Sequence, residues 1–469
     1  MPANTFEDTI AAISTPPGNG GIGIVRISGS GAVSVLSQLY RGHLSPESWP
    51  SHTMHYGHIY YKGGLVDEVM ASLMRAPRSY TREDVAEINC HGGVRAVSSV
   101  LRAVLGCGVR LAHPGEFTMR AFLNGRIDIS QAEAVADIIN SKTDAALAVA
   151  QRQLEGSLSA RIRDIIEPIS VLVANIEVSI DYPEHDENTL NIPYVTRLCE
   201  ELIPRLDTLI NSFCSGRILR EGIPTLILGS PNVGKSSLLN ALLGVDRAIV
   251  TDIPGTTRDT LSEVLSLGGI PLVVTDTAGI RASDDLVESL GIERSLAQLD
   301  VSQLVLLVLD ASRGLDYQDK ELLLSPKLAG LSVVILLNKC DLGMKIDKES
   351  MCKIGSINPL AIIPISMVPN HELFHNGLEH LARCVTKSFG LGDIRPDDAP
   401  MLTNHRHEQA VSRARNALEQ AAEAATLGMS EDVVVIPLRE ALGALGELTG
   451  ESVDEDILDR IFSTFCLGK

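Results

Sequence analysis

The chain has 469 residues, with 40 Lys and Arg against 59 Asp and Glu, giving a formal charge of -19. Hydrophobic residues make up 45% and charged residues 21%, which excludes a collagen-like, disordered or disulfide-scaffold protein and suggests about three domains. Residues 1–121 hold ten Lys/Arg and nine Asp/Glu (+1), leaving -20 elsewhere; this argues against a general nucleic-acid binder and makes any RNA contact local or shared with a partner.

Residues 1–121 mix β-rich runs, Ile22–Ile27 and His55–Tyr61, with punctuation at Pro16-Pro17-Gly18 and Pro114-Gly115, predicting an α+β domain. Residues 122–221 turn helical. Ser130-Gln131-Ala132-Glu133 has capping-box form, and Ala134, Val135, Ile138 and Ile139 recur at helical spacing. Ile162, Ile165, Ile166, Ile169, Leu172, Val173 and Ile176 continue the pattern, with Pro168 marking a kink or break and Asp181–Glu187 a turn. In 222–383 apolar runs (Thr225–Leu228, Leu272–Thr275, Gln303–Leu309, Val333–Leu337, Ile362–Ile365) alternate with amphipathic segments, predicting a mostly parallel sheet with crossover helices. Residues 384–469 return to helix, in His405–Ala424 and from Ile436 to the C-terminus. The expected fold is multidomain: an α+β N-terminal domain and an all-α domain in two segments, interrupted by an inserted α/β domain.

The longest apolar runs, such as Leu304–Leu309, fall far short of the roughly 18 residues a membrane span needs. Glu7 and Asp8 stand where a secretory signal carries basic residues. None of the eight cysteines is in CxxC or CxH spacing, which argues against zinc and fits a reducing compartment. The expectation is a cytoplasmic protein without a membrane span.

Gly229-Ser230-Pro231-Asn232-Val233-Gly234-Lys235-Ser236, followed by Ser237, matches GxxxxGK[ST] between an apolar strand and the helix Leu238–Leu243. Its backbone N–H groups would wrap phosphates, Lys235 would reach the β/γ oxygens and Ser236 would bind Mg²⁺. Asn338-Lys339-Cys340-Asp341 follows the strand Val333–Leu337; a carboxylate there accepts both N1–H and the 2-amino group of guanine, which selects GTP over ATP. Ser366-Met367 stands as the last base loop, departing from the usual Ser-Ala. Asp276-Thr277-Ala278-Gly279 closes another strand, with Asp276 holding Mg²⁺ through water and the Gly279 N–H reading the γ-phosphate. Between them, in Thr251-Asp252-Ile253-Pro254-Gly255-Thr256-Thr257, Thr256 and Thr257 supply the switch threonine for Mg²⁺. Four motifs in order imply a GTPase. Ile280 occupies the position of the glutamine that orients water in Ras-type enzymes, so water must be oriented by another group.

Outside these motifs, Thr15-Pro16-Pro17-Gly18, Gly23–Gly29, Glu83-Asp84-Val85, His91-Gly92-Gly93, Pro114–Phe117, Arg120–Asn124, Gln131–Ala134 and the terminal Phe465-Cys466-Leu467-Gly468-Lys469 resemble the MnmE (TrmE) family of tRNA-modification GTPases over nearly the whole length. The resemblance implies a homodimer built through N-terminal domains that bind a tetrahydrofolate derivative. It implies a heterotetramer with the FAD-dependent MnmG, with which 5-carboxymethylaminomethyl uridine is made at the tRNA wobble position. It also implies K⁺-dependent GTP hydrolysis with transient dimerisation of the GTPase domains. Asn232, Thr251, Ile253 (through its carbonyl) and Thr256 match the family's K⁺ ligands, with Thr257 left for Mg²⁺, and Glu288 matches the glutamate that orients water through a bridging water. Arg26, Glu87, Arg126 and Lys469 match the folate positions, while Asn19 and His113 stand where the family commonly has arginine. Cys466 reads either as a thiol near the transferred carbon or as a small buried apolar side chain. An Era- or EngA-like ribosome-assembly GTPase, the alternative, needs a basic RNA-binding domain or a second GTPase domain, and residues 384–469 offer neither.

Overall fold

The computed structural model describes residues 8–181, 192–245, 263–274, 299–346, 357–391, 401–452 and 455–469. Its first sheet is written by period-two alternation. The elements run β1 (Ile10–Ile13), β2 (Ile22–Ser28), α1 (Ala32–Leu39), β3 (Tyr40–Gly42), β4 (Thr53–Tyr61), β5 (Gly64–Met74), β6 (Val85–His91), α2 (Val94–Leu105) and β7 (Arg110–Leu111). The spatial order is β3-β4-β5-β6-β2-β1-β7, antiparallel except for the parallel β1–β7 pair. Val25, Ile27, Ile59, Leu73 and Ile88 pack beneath α1 and α2, whereas Met54, Tyr56 and Met70 are exposed on the other face.

Helices follow: α3 (Glu116–Leu123), α4 (Ile129–Asn140), α5 (Asp144–Leu154), α6 (Ser157–Asp181) and α7 (Ile192–Glu221). The capping box of α4 lies two residues earlier than its sequence form suggests. Asp128 accepts from the Gln131 N–H and the Gln131 side chain answers the Asp128 N–H. Ser130 and Glu133 are instead buried inside the helix. Pro168 does not break α6. Its missing N–H leaves the Asp164 carbonyl without the usual donor, but Ile162, Ile165, Ile169, Leu172 and Ile176 stay buried in one continuous stripe, and their packing carries the helix through.

The second sheet contains β8 (Ile223–Leu228), β9 (Glu263–Leu267), β10 (Ile270–Val274), β11 (Leu304–Asp310), β12 (Ser332–Asn338) and β13 (Ala361–Pro364), with helices α8 (Lys235–Val245), α9 (Tyr317–Leu324) and α10 (Glu372–Ser388). The order is β13-β12-β11-β8-β10-β9, parallel except for the β9–β10 pair. Every residue of β11 is buried, as expected of a central strand covered on both faces. Register aligns Leu307 with Leu228 and Asp310 with Asn338, so the loops after β8, β11 and β12 emerge along one edge, the usual ligand edge of an open parallel sheet.

The chain closes with α11 (His405–Thr426), α12 (Glu431–Thr449) and α13 (Glu455–Ser463). The expected helix from Ile436 onward begins five residues earlier, after Ser430, and stops at Gly450, whose φ of 89° supplies the left-handed C-cap. Helices α6, α7, α11 and α12 share one apolar core. Among the described residues no helix is long and apolar enough to cross a membrane.

Candidate functional sites

The phosphate loop bridges β8 and α8. Gly234 has φ +105°, and a Cβ there would lie 2.1 Å from Asn338 Nδ2, so this position requires glycine. Asn232 adopts φ +60°, a left-handed conformation that asparagine tolerates better than most residues. Lys235 Nζ donates to the carbonyls of Gly229 and Ser230, both at 2.9 Å, which holds the ammonium over the loop. Val233 is buried, while Ser236 and Ser237 are exposed on the first turn of α8, where the helix dipole favours an anion.

The base loop is tied directly to it. Asn338 Nδ2 donates to the Val233 carbonyl at 2.7 Å, and Lys339, itself at φ +61°, donates through Nζ to Asp310 Oδ2 at 2.7 Å. Burial would raise the Asp310 carboxyl, but hydrogen bonds from Lys339 and Ser312 hold it below the ordinary carboxylate range. Asp341 is exposed, and Ser366 Oγ donates to its Oδ1 at 2.7 Å. The Ser366-Met367 loop thus lies beside Asp341 despite its unusual second residue. Sequence reasoning missed Asp310, Arg313 and Asp319. The Ser230 hydroxyl donates to Asp319 Oδ1 and accepts from Arg313 Nη2, each at 2.8 Å, pinning the start of the phosphate loop. The one available signal was an acidic residue ending the otherwise apolar run of β11.

Thr251, Asp252, Ile253, Pro254, Gly255, Thr256, Thr257, Asp276, Thr277, Ala278, Gly279, Ile280 and Glu288 lie outside the described residues. Of the expected Mg²⁺ and K⁺ ligands, Ser236 and Asn232 are described. No cluster of three or more His, Cys, Asp or Glu fit to hold a metal occurs among the described residues.

A second constellation forms on the N-terminal sheet. Arg26 of β2 and Glu87 of β6 are direct cross-strand partners, joined by an Nε–Oε1 ion pair at 2.8 Å. Arg26 Nη1 also donates to the Gly468 carbonyl at 3.2 Å, as does Ser14 Oγ at 3.2 Å. Tyr80 lies between two cations: its ring centroid is 5.4 Å from the Arg26 guanidinium carbon and 4.6 Å from that of Arg126, which also donates to the Tyr80 carbonyl at 2.9 Å. Lys469 is half-buried. Burial and the nearby Arg26 charge hold its amine below the usual lysine value, with Cys466 and Glu87 pulling the other way. The chain end is anchored by buried Phe462 and Phe465 against Ala132 and Val135 of α4. Cys466 is exposed, not packed in an apolar core. All four expected folate residues, Arg26, Glu87, Arg126 and Lys469, therefore converge. Tyr80 was missed, because an isolated tyrosine carries no spacing signal. A carboxylate, three cations and an aromatic face in one place suit a planar heterocycle with an anionic tail.

A family model described as the GTP-binding protein TrmE N-terminus matches residues 9–126, and one described as the MnmE helical domain matches residues 129–466. The chain is 46% identical over 470 residues to the tRNA modification GTPase MnmE of Geobacillus thermodenitrificans (strain NG80-2), covering 99% of this chain and 100% of that protein. It is also 46% identical over 466 residues to the protein of that name from Clostridioides difficile (strain 630), with 99% and 100% covered. Among solved structures, the G domain of the T. maritima FeoB iron transporter aligns at 27% identity over 36% of this chain and 98% of that one, with a TM-score of 0.25. Identity at this level over the full length extends the likeness well beyond the nucleotide motifs: the chain belongs to the MnmE family of tRNA-modification GTPases, P-loop enzymes that bind and hydrolyse GTP.

Proposed function

We propose that this GTPase, with an FAD-dependent MnmG partner, installs a carboxymethylaminomethyl group at C5 of the wobble uridine of tRNA, drawing one carbon from a tetrahydrofolate derivative. The observation that carries this reading is the meeting of Arg26, Glu87, Arg126 and the terminal Lys469 around Tyr80. Glu87 accepts hydrogen bonds from the amidine edge of a pterin, Tyr80 offers its ring, and Arg126 and Lys469 bind the glutamate tail. Bound there, the folate supplies the carbon to be transferred. Cys466, whose thiol is exposed three residues before the chain end, would be available to act on a carbon carried by that folate. The working assembly is a cytoplasmic homodimer joined through residues 1–121, extended by MnmG to a heterotetramer. Helical segments 122–221 and 384–469 carry the inserted GTPase domain, 222–383.

In the GTPase domain, Asp341 reads guanine, and Asn232 through Ser237 hold the phosphates with Lys235 neutralising the β/γ oxygens. Ser236 and Thr257 would hold Mg²⁺, which would supply neutralisation of phosphate charge. Asn232, Thr251, Ile253 and Thr256 would hold K⁺, which would supply the charge neutralisation that an arginine provides in other GTPases. Asp276 to Gly279 follow the γ-phosphate. Glu288 orients the water that attacks the γ-phosphorus as the bond to the β-phosphate oxygen breaks. The test is calorimetry of the full chain with 5-formyl-tetrahydrofolate: binding is expected, and it is lost when the last four residues are deleted while GTP binding persists. Absence of binding to the intact chain removes the folate reading.

A further inference from the structure

The chain crosses twice between the helical part and the nucleotide sheet, and described residues beside each crossing, at the end of α7 and at the start of α11, are fastened to α4. On the outward crossing α7 passes into β8 through Gly222 alone, whose φ is +84° and where a Cβ would lie 2.9 Å from the Pro271 carbonyl. With so short a joint, the end of α7 moves with the sheet. In that last turn Arg220 Nε pairs with Asp137 Oδ1 of α4 at 2.8 Å. At the start of α11, after the return crossing, Asn404 Nδ2 donates to Glu133 Oε1 at 3.1 Å, and Arg406 grips both Glu133 oxygens at 3.1 and 2.9 Å. Fully buried His407 completes the set, 2.5 Å from Glu133 Oε2.

Glu133 and Asp137 lie one turn apart on one face of α4. Another face of the same helix, through Ala132 and Val135, seats Phe462 and Phe465, the residues that deliver Cys466 and Lys469 to the N-terminal site. Directly before α4, Arg126 stacks on Tyr80. Separating buried Glu133 from Arg406 and His407 would strand a charge in the interior, and the part-exposed Arg220–Asp137 pair ties the end of α7 to the same helix, so a rotation of the nucleotide sheet pulls on α4 rather than separating from it.

We propose that α4 is the mechanical link by which the GTPase domain acts on the modification site, with Asp137 and Arg220 as positioning residues for tRNA modification. This rests on reading the Arg26–Lys469 cluster as that site. The shared helix gives a contiguous packed connection between the two sites, and the variants below test whether it carries coupling.

The test uses full-length Arg220→Ala, Asp137→Asn and the conservative Arg220→Lys. GTP turnover, thermal unfolding and the level in tRNA of the nucleoside that disappears from cells lacking this gene are measured for each. Arg220→Ala and Asp137→Asn should keep GTP turnover within about two-fold while the nucleoside falls by about five-fold or more, the size of an ordinary coupling effect. Arg220→Lys should restore roughly half of the loss or better, as charge is retained without the planar fork. An unchanged nucleoside level, a fall that only follows GTP turnover or the amount of folded protein, or no restoration by lysine overturns the proposal. Folate titration of the unaltered chain is separate: failure there removes the folate reading, whereas the nucleoside in folded, GTP-hydrolysing Arg220→Ala decides the coupling.

Discussion

Replacing Glu133 by glutamine removes a carboxylate that is 7% exposed and held by Asn404, Arg406 and His407. Burial alone would raise its pKa, but the charges and hydrogen bonds of His407 and Arg406 bring it from 4.5 down to about 2. At about 1.36 kcal/mol per pH unit, that depression corresponds to about 3 kcal/mol of folded-state stability at neutral pH. Because the folded value lies below the unfolded one, the contribution is complete well above pH 4.5 and drains away as pH falls through about 2. Glu133→Gln should therefore unfold about 3 kcal/mol more easily at pH 7, and the gap should narrow to about 2 kcal/mol near pH 3.5, where the native carboxylate is itself losing its advantage. Urea unfolding followed by helical circular dichroism at the two pH values measures this. A gap below about 1 kcal/mol at pH 7 would show that the pair is no stronger than an exposed salt bridge. A gap that stays constant with pH would show that the loss comes from packing instead of charge.

Gly234→Ala should weaken GTP binding by about ten-fold or more, since the added Cβ strains a positive φ and displaces Asn338 from Val233; fluorescent-nucleotide titration reads this, and near-normal affinity would contradict the close approach. Asp341→Asn should shift preference from GTP toward xanthosine triphosphate, and Ser366→Ala, by releasing the Asp341 carboxylate, should cost about 1 kcal/mol of GTP affinity without changing base preference. Hydrolysis should run markedly faster in KCl than in NaCl at equal ionic strength, and Glu288→Ala should lower kcat by about 10²–10³-fold with binding retained. Equal rates in the two salts remove the cation from the mechanism, and normal turnover in the variant removes Glu288 separately.

What the sequence determined by itself was local. A glycine at a positive φ, a lysine six residues past the loop's first glycine and an apolar run before each loop need only neighbouring torsions and burial. The phosphate loop between β8 and α8, the place of Asp341 just after β12 and the parallel strands were therefore legible, to within a residue or two at their ends. The capping box was misplaced because Ser130-Gln131-Ala132-Glu133 and Asp128-Ile129-Ser130-Gln131 satisfy the same local rule, and only packing chose between them. That choice freed Glu133 to become the buried counter-charge of Arg406, 273 residues away. Arg26 meets the Gly468 carbonyl across 442 residues in the same manner, and Arg313 reaches Ser230 across the sheet edge. Such pairs leave no periodic trace. A charge is committed to a distant partner only when chain closure has removed both from water, and which charges meet is then decided by the register of the strands and the seating of the helices that enclose them.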